Sequence, residues 1–345
     1  QFDKARDAYA YILSNHINHE TANAALLGLQ EVVKKGEKVN DFEGYMEAYQ
    51  KANPDDGSLE VVAFEDAKAS YYNQQYDQAI EKLIRFNTKY PNSGFEEDAR
   101  YFLADSYYRS RQWSKADQAF MNLIEMNGSY TSRSLDKRGE TLMNLGQYQK
   151  AISNYMMLTK KAGNRKEIFR AQEGLMNTYY ALGKLDSALF YADMILNAEW
   201  KPVNTEGIIW LVKGKIFLKK KNYGLALDEF IKVVNESRNE LGAEAKYLMG
   251  KSYFEQKEYK RSLEMLFALN RDFGSYPYWV GKSFLLIADN YLGMGELLQA
   301  EATTKSIIEN ATIPEILNEA KDKLRLIEQK EKEVIVQETV EDSIK

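Results

Sequence analysis

The feature that most constrains this chain is a short pattern that returns in a fixed phase. A turn aromatic or leucine is followed, three residues on, by a small residue that opens a helix. It reads Tyr76-Asp-Gln-Ala79, Trp113-Ser-Lys-Ala116, Tyr148-Gln-Lys-Ala151, Leu185-Asp-Ser-Ala188, Tyr223-Gly-Leu-Ala226, Tyr259-Lys-Arg-Ser262 and Leu297-Leu-Gln-Ala300. The small residues are spaced by 37, 35, 37, 38, 36 and 38. A period of this length marks a helical-hairpin array, in which each unit buries its apolar face only against its neighbours. That resolves a difficulty of size, since 345 residues exceed what one compact core holds.

Each repeat reads as two helices. Upstream of the small residue stand Leu103-Ala104…Tyr107, Met249-Gly250…Tyr253 and Ile287-Ala288…Tyr291: large, small and aromatic on one helical face. Downstream, apolar residues fall at +4 and +7, as in Leu83 and Phe86, Phe120 and Leu123, Phe230 and Val233, and Leu266 and Leu269. The first helix is called A and the second B. Arg138 and Lys213 stand where helix A expects a large apolar residue, and Thr304 replaces an aromatic. Pro91 closes one unit and Pro314 follows the last.

Projected backwards, the period reaches Phe42, with a partner helix over 22–33, and then Ala5, with Tyr9 and Ile12 at +4 and +7. The expected map is a half repeat at 1–19, then repeats at about 22–56, 61–94, 97–130, 132–165, 169–203, 207–241, 243–277 and 281–313 in a single solenoid. A capping helix over 314–330 carries Ile316, Leu317, Ala320, Leu324 and Ile327 on its apolar side. The segment 331–345 is charged and reads as a disordered tail, within which Val334-Ile-Val336 offers a short docking segment. Opening on half a repeat is what a piece of a longer protein would show, and an export signal or membrane tether would then lie in the missing part.

The pattern resembles the tetratricopeptide repeat over nearly the whole chain. The resemblance implies an all-α fold, a right-handed α-α superhelix closed by a capping helix, with a concave groove lined by A helices that holds a protein or peptide. Segments such as Asp98-Ala-Arg-Tyr-Phe-Leu-Ala-Asp-Ser-Tyr-Tyr and Lys89-Tyr-Pro-Asn-Ser are similar to bacterial envelope proteins, the outer-membrane assembly lipoproteins of the BamD type and the YbgF-type periplasmic coordinators. Ala24-Ala-Leu-Leu-Gly-Leu-Gln resembles large repeat proteins of the Bacteroides group. The location implied is periplasmic or outer-membrane associated, with the cytoplasm as the alternative. A second reading is a spacer rod whose function lies upstream of this segment.

Composition argues for binding over catalysis. The net charge of −5 is the wrong sign for a general nucleic-acid binder, and without cysteine there is no thiol chemistry or thiolate metal site. No apolar run is long enough to span a membrane. His16 and His19, followed by Glu20, are read as loop residues, and no cofactor or metal is expected. Gly250-Lys-Ser252 and Gly281-Lys-Ser283 end like phosphate loops, but Ala245 and Tyr276 stand where the first glycine is required.

The 24 tyrosines point to a surface. In the doublets Tyr71-Tyr72, Tyr107-Tyr108 and Tyr179-Tyr180, the first ring is assigned to the repeat core and the second, about 100° around the helix, to the groove. The expected groove residues are Glu65, Tyr72, Tyr101, Asp105, Tyr108, Glu140, Glu173, Asn177 and Tyr180 in the early repeats. Lys215, Lys219, Tyr247, Lys251 and Lys282 follow in the late ones, a drift from acidic to basic. The carboxylate clamp of the family's chaperone-binding members has no counterpart at these positions.

Overall fold

A computed structural model describes residues 2–344 except 36–38, 40 and 55. Among the described residues every regular element is a helix. The chain divides into two compact units, Gln1–Leu182 and Gly183–Lys345. The first holds α1 (Phe2–Asn15), α2 (Thr21–Lys34), α3 (Phe42–Ala52), α4 (Ser58–Tyr72), α5 (Tyr76–Lys89), α6 (Glu96–Arg109), α7 (Trp113–Met126), α8 (Thr131–Asn144), α9 (Tyr148–Lys161) and α10 (Arg165–Ala181). The second holds α11 (Leu185–Leu196), α12 (Thr205–Lys219), α13 (Tyr223–Glu236), α14 (Glu240–Glu255), α15 (Tyr259–Asp272), α16 (Pro277–Met294), α17 (Leu297–Asn310) and α18 (Pro314–Ile344). Within each unit, successive helices pack on one another, α3 and α4 excepted, and alternate helices also touch, chiefly A helices.

The recurring small residue is buried in every full repeat that carries it. Ala79, Ala116, Ala151, Ala188, Ala226, Ser262 and Ala300 are all fully buried. Twelve residues before it, helix A presents a notch, and four residues after it, helix B presents a knob. The pairs are Ala67/Leu83, Ala104/Phe120, Gly139/Tyr155, Gly214/Phe230, Gly250/Leu266 and Ala288/Thr304. At the glycine notches the knob fills the space a Cβ would need: one on Gly214 would lie 2.4 Å from the Phe230 ring, and one on Gly250 2.7 Å from Leu266. Thr304 is the small knob that the sequence marks as a departure; it is buried and turns its hydroxyl onto the Ala300 carbonyl at 2.8 Å.

The turns from A to B share one geometry. Five residues before the small residue the backbone takes positive φ, at Gln74, Arg111, Gly146, Gly183, Lys221, Lys257 and Gly295. In six of the seven, the next N–H reaches back to a helix A carbonyl, as Gln75 to Ser70, Gln112 to Tyr107 and Glu258 to Tyr253, and the left-handed residue's own N–H bonds as well. This is the Schellman arrangement, which satisfies the last carbonyls of helix A while reversing the chain.

Three regions depart from the sequence map. The single solenoid drawn through residue 330 is divided inside its 169–203 repeat, between α10 and α11. The sequence pattern also changes there: Ala192 stands at the knob position and Met176 at the notch position. The first repeat is also irregular. Phe42 occupies the small-residue position, and a ring there prevents close packing; α3 approaches the backbone of α2 only sparsely and that of α4 even less. Lastly, α18 continues to Ile344, beyond the expected end near Lys330 and through the segment read as a disordered tail. No glycine or proline interrupts 315–344, and Glu, Lys, Gln and Ile sustain a helix. Among its described side chains, Ile327 is the last that is buried. Lys345 and the side chains of Val334-Ile-Val336 lie outside the description.

Candidate functional site

The A-helix face of the first unit is built by tyrosines and carboxylates one repeat apart. Tyr71 and Tyr108 each lie eight residues before the small residue, and Asp105 and Glu140 lie eleven before the next one. The Tyr71 hydroxyl donates to Asp105, and the Tyr108 hydroxyl donates to Glu140 at 2.6 Å. Asp105, 1% exposed, also accepts from Arg109 Nε at 2.6 Å. Burial, reinforced by these carboxylates, raises the pKa of both tyrosines far above the ordinary phenol value. Tyr101 is buried as well, stacked on Tyr130 with ring centres 4.3 Å apart, and burial with Asp105 nearby raises its pKa to about 12.

The doublets therefore do not share a register. Tyr71, not Tyr72, is the equivalent of Tyr108 and Tyr180, because the small residue it counts from is Ala79. Tyr72 lies one position further around the helix, is 64% exposed and rests its ring edge on Tyr71 and Phe102. The sequence reading aligned the doublets by their appearance rather than by the count.

Arg170 on α10 binds three carboxylates: Asp136 at 3.1 Å, Glu173 at 2.9 Å, and Glu140. Lys137 adds a contact to Glu140 at 2.9 Å. Burial raises the pKa of Asp136 and Glu173, and Arg170 only partly offsets it. At Glu140 burial acts the same way, but the hydrogen bonds from Tyr108 and Lys137 and the charges of Lys137 and Arg170 outweigh it, leaving the pKa below the ordinary value. Glu65 pairs with Lys68 at 3.1 Å. Asn177 is exposed and Tyr180 half-buried on the same face.

The second unit is also tied by opposite charge, with the cation on the earlier helix in two of the three pairs. Lys215 pairs with Glu244 at 2.6 Å, Lys282 with Glu319 at 2.8 Å, and Asp289 with Lys323. Lys251 has only a 3.9 Å approach to Glu255, and Lys219 is exposed. Tyr247 packs on Trp279, with ring centres 5.6 Å apart. The acidic-to-basic drift is thus largely compensated inside each unit. Of the expected groove residues, Asp105, Tyr108, Glu140, Lys215, Tyr247 and Lys282 tie successive A helices, while Glu65, Glu173 and Lys251 pair within their own helix.

Residues that sequence reading missed carry much of this network: Tyr71, Asp136, Arg170, Asp289 and Lys323. The signal available was opposite charge one repeat apart, as in Asp136/Arg170 and Asp289/Lys323, each separated by 34 residues. Asp66, 3% exposed, was missed as well. It shares with Arg138 and Lys213 the position thirteen before the small residue. All three are paired to B helices: Asp66 with Lys82 at 2.8 Å, Arg138 with Asp117 at 2.7 Å, and Lys213 with Asp193 at 2.7 Å and Glu229 at 3.3 Å. Charge replaces an apolar contact here because each partner is within reach.

The remaining sequence candidates have structural places. His16 lies against the Tyr11 ring, while His19 Nδ1 is 2.8 Å from the Thr21 hydroxyl, so the two rings do not converge. Ser252 and Ser283 are buried inside α14 and α16, with hydroxyls on the carbonyls of Leu248 and Leu266.

The family model that matches the chain is the tetratricopeptide repeat, over residues 67–93. No curated protein matches. Among solved structures, the chain is similar to the C-terminal part of a TPR repeat-containing protein from Cytophaga hutchinsonii, at 18% identity and a TM-score of 0.56, covering 74% of this chain and 98% of that one. A tetratricopeptide repeat protein from Parabacteroides merdae matches at 12% identity and a TM-score of 0.46, over 78% and 92% of the two chains. The apo form of RapI matches at 15% identity and a TM-score of 0.49, over 77% and 98%. The fold of this chain is that of a tetratricopeptide-repeat solenoid.

Proposed function

We propose that this chain is a non-catalytic scaffold that holds a protein or peptide partner on the A-helix face of its repeats, in the bacterial cell envelope. The observation that carries this reading is the finish of that face. Tyr71, Tyr108, Asp105, Glu140, Lys215 and Lys282 are bound across repeats, which stiffens the surface before any partner arrives, and rigidity lowers the entropic cost of binding. Against it stand Tyr72, largely exposed, and Asn177. An exposed aromatic on a rigid support is the usual anchor of a protein interface. Asp105, Glu140, Arg170, Lys215 and Lys282 are engaged in holding successive repeats together. The envelope location rests on the repeat style described above.

Tyr72→Ala combined with Asn177→Ala tests the face without cutting a polar tie between repeats; only the edge contact of Tyr72 with Phe102 is lost. Capture of partners from envelope extract should fall with the double variant and persist with substitutions on the B helices. Unchanged capture sinks the reading and favours the spacer rod, which the same dense ties would also suit. Fractionation of the source cells tests the location, and recovery of the protein in the cytosolic fraction contradicts it.

A further inference from the structure

The least regular place in the first unit is α3, and what lies beneath it has a distinct chemistry. Between α3 and the α4–α5 hairpin is a cleft with a cavity of about 70 Å³. Leu59 and Ala63 of α4 and Phe86 and Tyr90 of α5 supply its apolar surface. One wall carries Lys82, Arg85 and Lys89 at i, i+3 and i+7 along α5; Lys82 is held by buried Asp66 of α4 at 2.8 Å, which leaves Arg85 and Lys89 as its basic edge. The opposing edge of α3 is acidic and polar, with Glu43, Glu47 and Gln50. Glu43 pairs with Arg85 at 3.1 Å and Gln50 accepts from Lys89. These are partly exposed pairs, the weakest kind of tie.

The B helices α5, α7, α9, α13, α15 and α17 are each held by a knob in a notch and a tight left-handed turn. At the corresponding positions α3 carries Met46 and α2 carries Gln30 instead of a small notch, and Phe42 holds the two helices apart. What anchors α3 is the rings of Phe42 and Tyr49, both buried, and the Tyr49 hydroxyl on Asp56 at 2.6 Å.

We propose that this cleft is a docking groove for an acidic amphipathic helix of a partner protein, and that α3 occupies its rim as a loosely held intramolecular competitor. Charge complementarity selects the occupant: a basic edge over an apolar floor accepts a helix with acidic residues flanking apolar ones, which is the composition of α3 itself. This site stands whether or not the A-helix face binds a partner.

The probe is a fluorescein-labelled peptide of residues 41–53, added to the full chain and followed by anisotropy. With α3 in place the peptide should bind weakly. Tyr49→Ala, which removes an anchor, should tighten binding about tenfold or more, because a competitor that fills the site most of the time reduces apparent affinity by that fraction. Arg85→Glu with Lys89→Glu in the Tyr49→Ala background should abolish it. Equal or absent binding to the parent and Tyr49→Ala chains overturns the proposal, as does binding indifferent to the charge reversal. In the unsubstituted chain, α3 amides should exchange about tenfold faster than those of α5, since a helix that leaves its groove opens locally. Equal protection of the two helices overturns it too.

Discussion

Gly139→Ala is the sharpest perturbation of the packing described above. In an exposed helix interior this substitution stabilises by about 1 kcal/mol, because alanine has less backbone freedom to lose. Here the new methyl meets the Tyr155 ring: an ideal Cβ on Gly139 would lie 2.3 Å from Tyr155 Cζ. The ring has nowhere to retreat. On its other side an equivalent Cβ on Gly174 of α10 would also lie 2.3 Å from it, and Tyr155 is 2% exposed. The ring is sandwiched between α8 and α10, and moving it off one glycine drives it into the other helix. Overpacking of this kind costs about 2–3 kcal/mol, so the propensity gain is outweighed and the net loss is about 1–2 kcal/mol. Gly224→Ala is the control, since nothing lies within 4 Å of that position and it is exposed in α13. It should stabilise. Urea unfolding followed by circular dichroism reads both. Adding Tyr155→Leu to Gly139→Ala should recover about 1 kcal/mol relative to the sum of the single changes. If Gly139→Ala stabilises as Gly224→Ala does, or if the cycle is additive, the knob-and-notch account of these repeats is wrong.

Other consequences follow from the same contacts. At the left-handed turn residues, Arg111→Gly should stabilise by up to about 1 kcal/mol and Gly146→Ala should destabilise by about as much, read by thermal unfolding, because both adopt positive φ. Arg170→Met leaves Asp136, Glu140 and Glu173 without their shared cation, and should cost about 2 kcal/mol in denaturant, discounted from a fully buried pair because these side chains are partly exposed. Glu140 has a folded-state pKa below its ordinary value of 4.5, so its stabilisation is present above pH 4.5 and is lost as the pH falls through the lower folded value. Glu140→Gln should therefore weaken the fold at neutral pH yet flatten its loss of stability in acid, and a parallel acid dependence in both proteins would refute the assignment.

The repeat phase was legible because it is a matter of local spacing. The small residues at 79, 116, 151, 188, 226, 262 and 300 are each buried against a neighbouring helix, and a helix runs at the projected positions of the first repeats, α1 over Ala5 and α2 over 22–33. What was not legible depends on partners one repeat away. Nothing in the local pattern of Glu140 or Asp105 tells a solvent-facing groove acid from one clasped by Tyr108 or Tyr71. The count from the small residue would have exposed the slipped doublet at Tyr71-Tyr72, and appearance concealed it. Phe42 in a small-residue position was a visible warning that α3 would stand apart. The length of α18 depends on the absence of a stop signal after Lys330, which charge alone does not provide.

The central claim is that one repeat phase governs the described chain from Ala5 to Ala300. Native-state amide exchange, resolved residue by residue, tests it most directly. The account predicts protected A and B helices separated by weakly protected turns at 73–75, 110–112, 145–147, 220–222 and 256–258, recurring with the 35–38-residue spacing of the small residues. Protection that ignores this phase, or that continues unbroken through those turns, would contradict it.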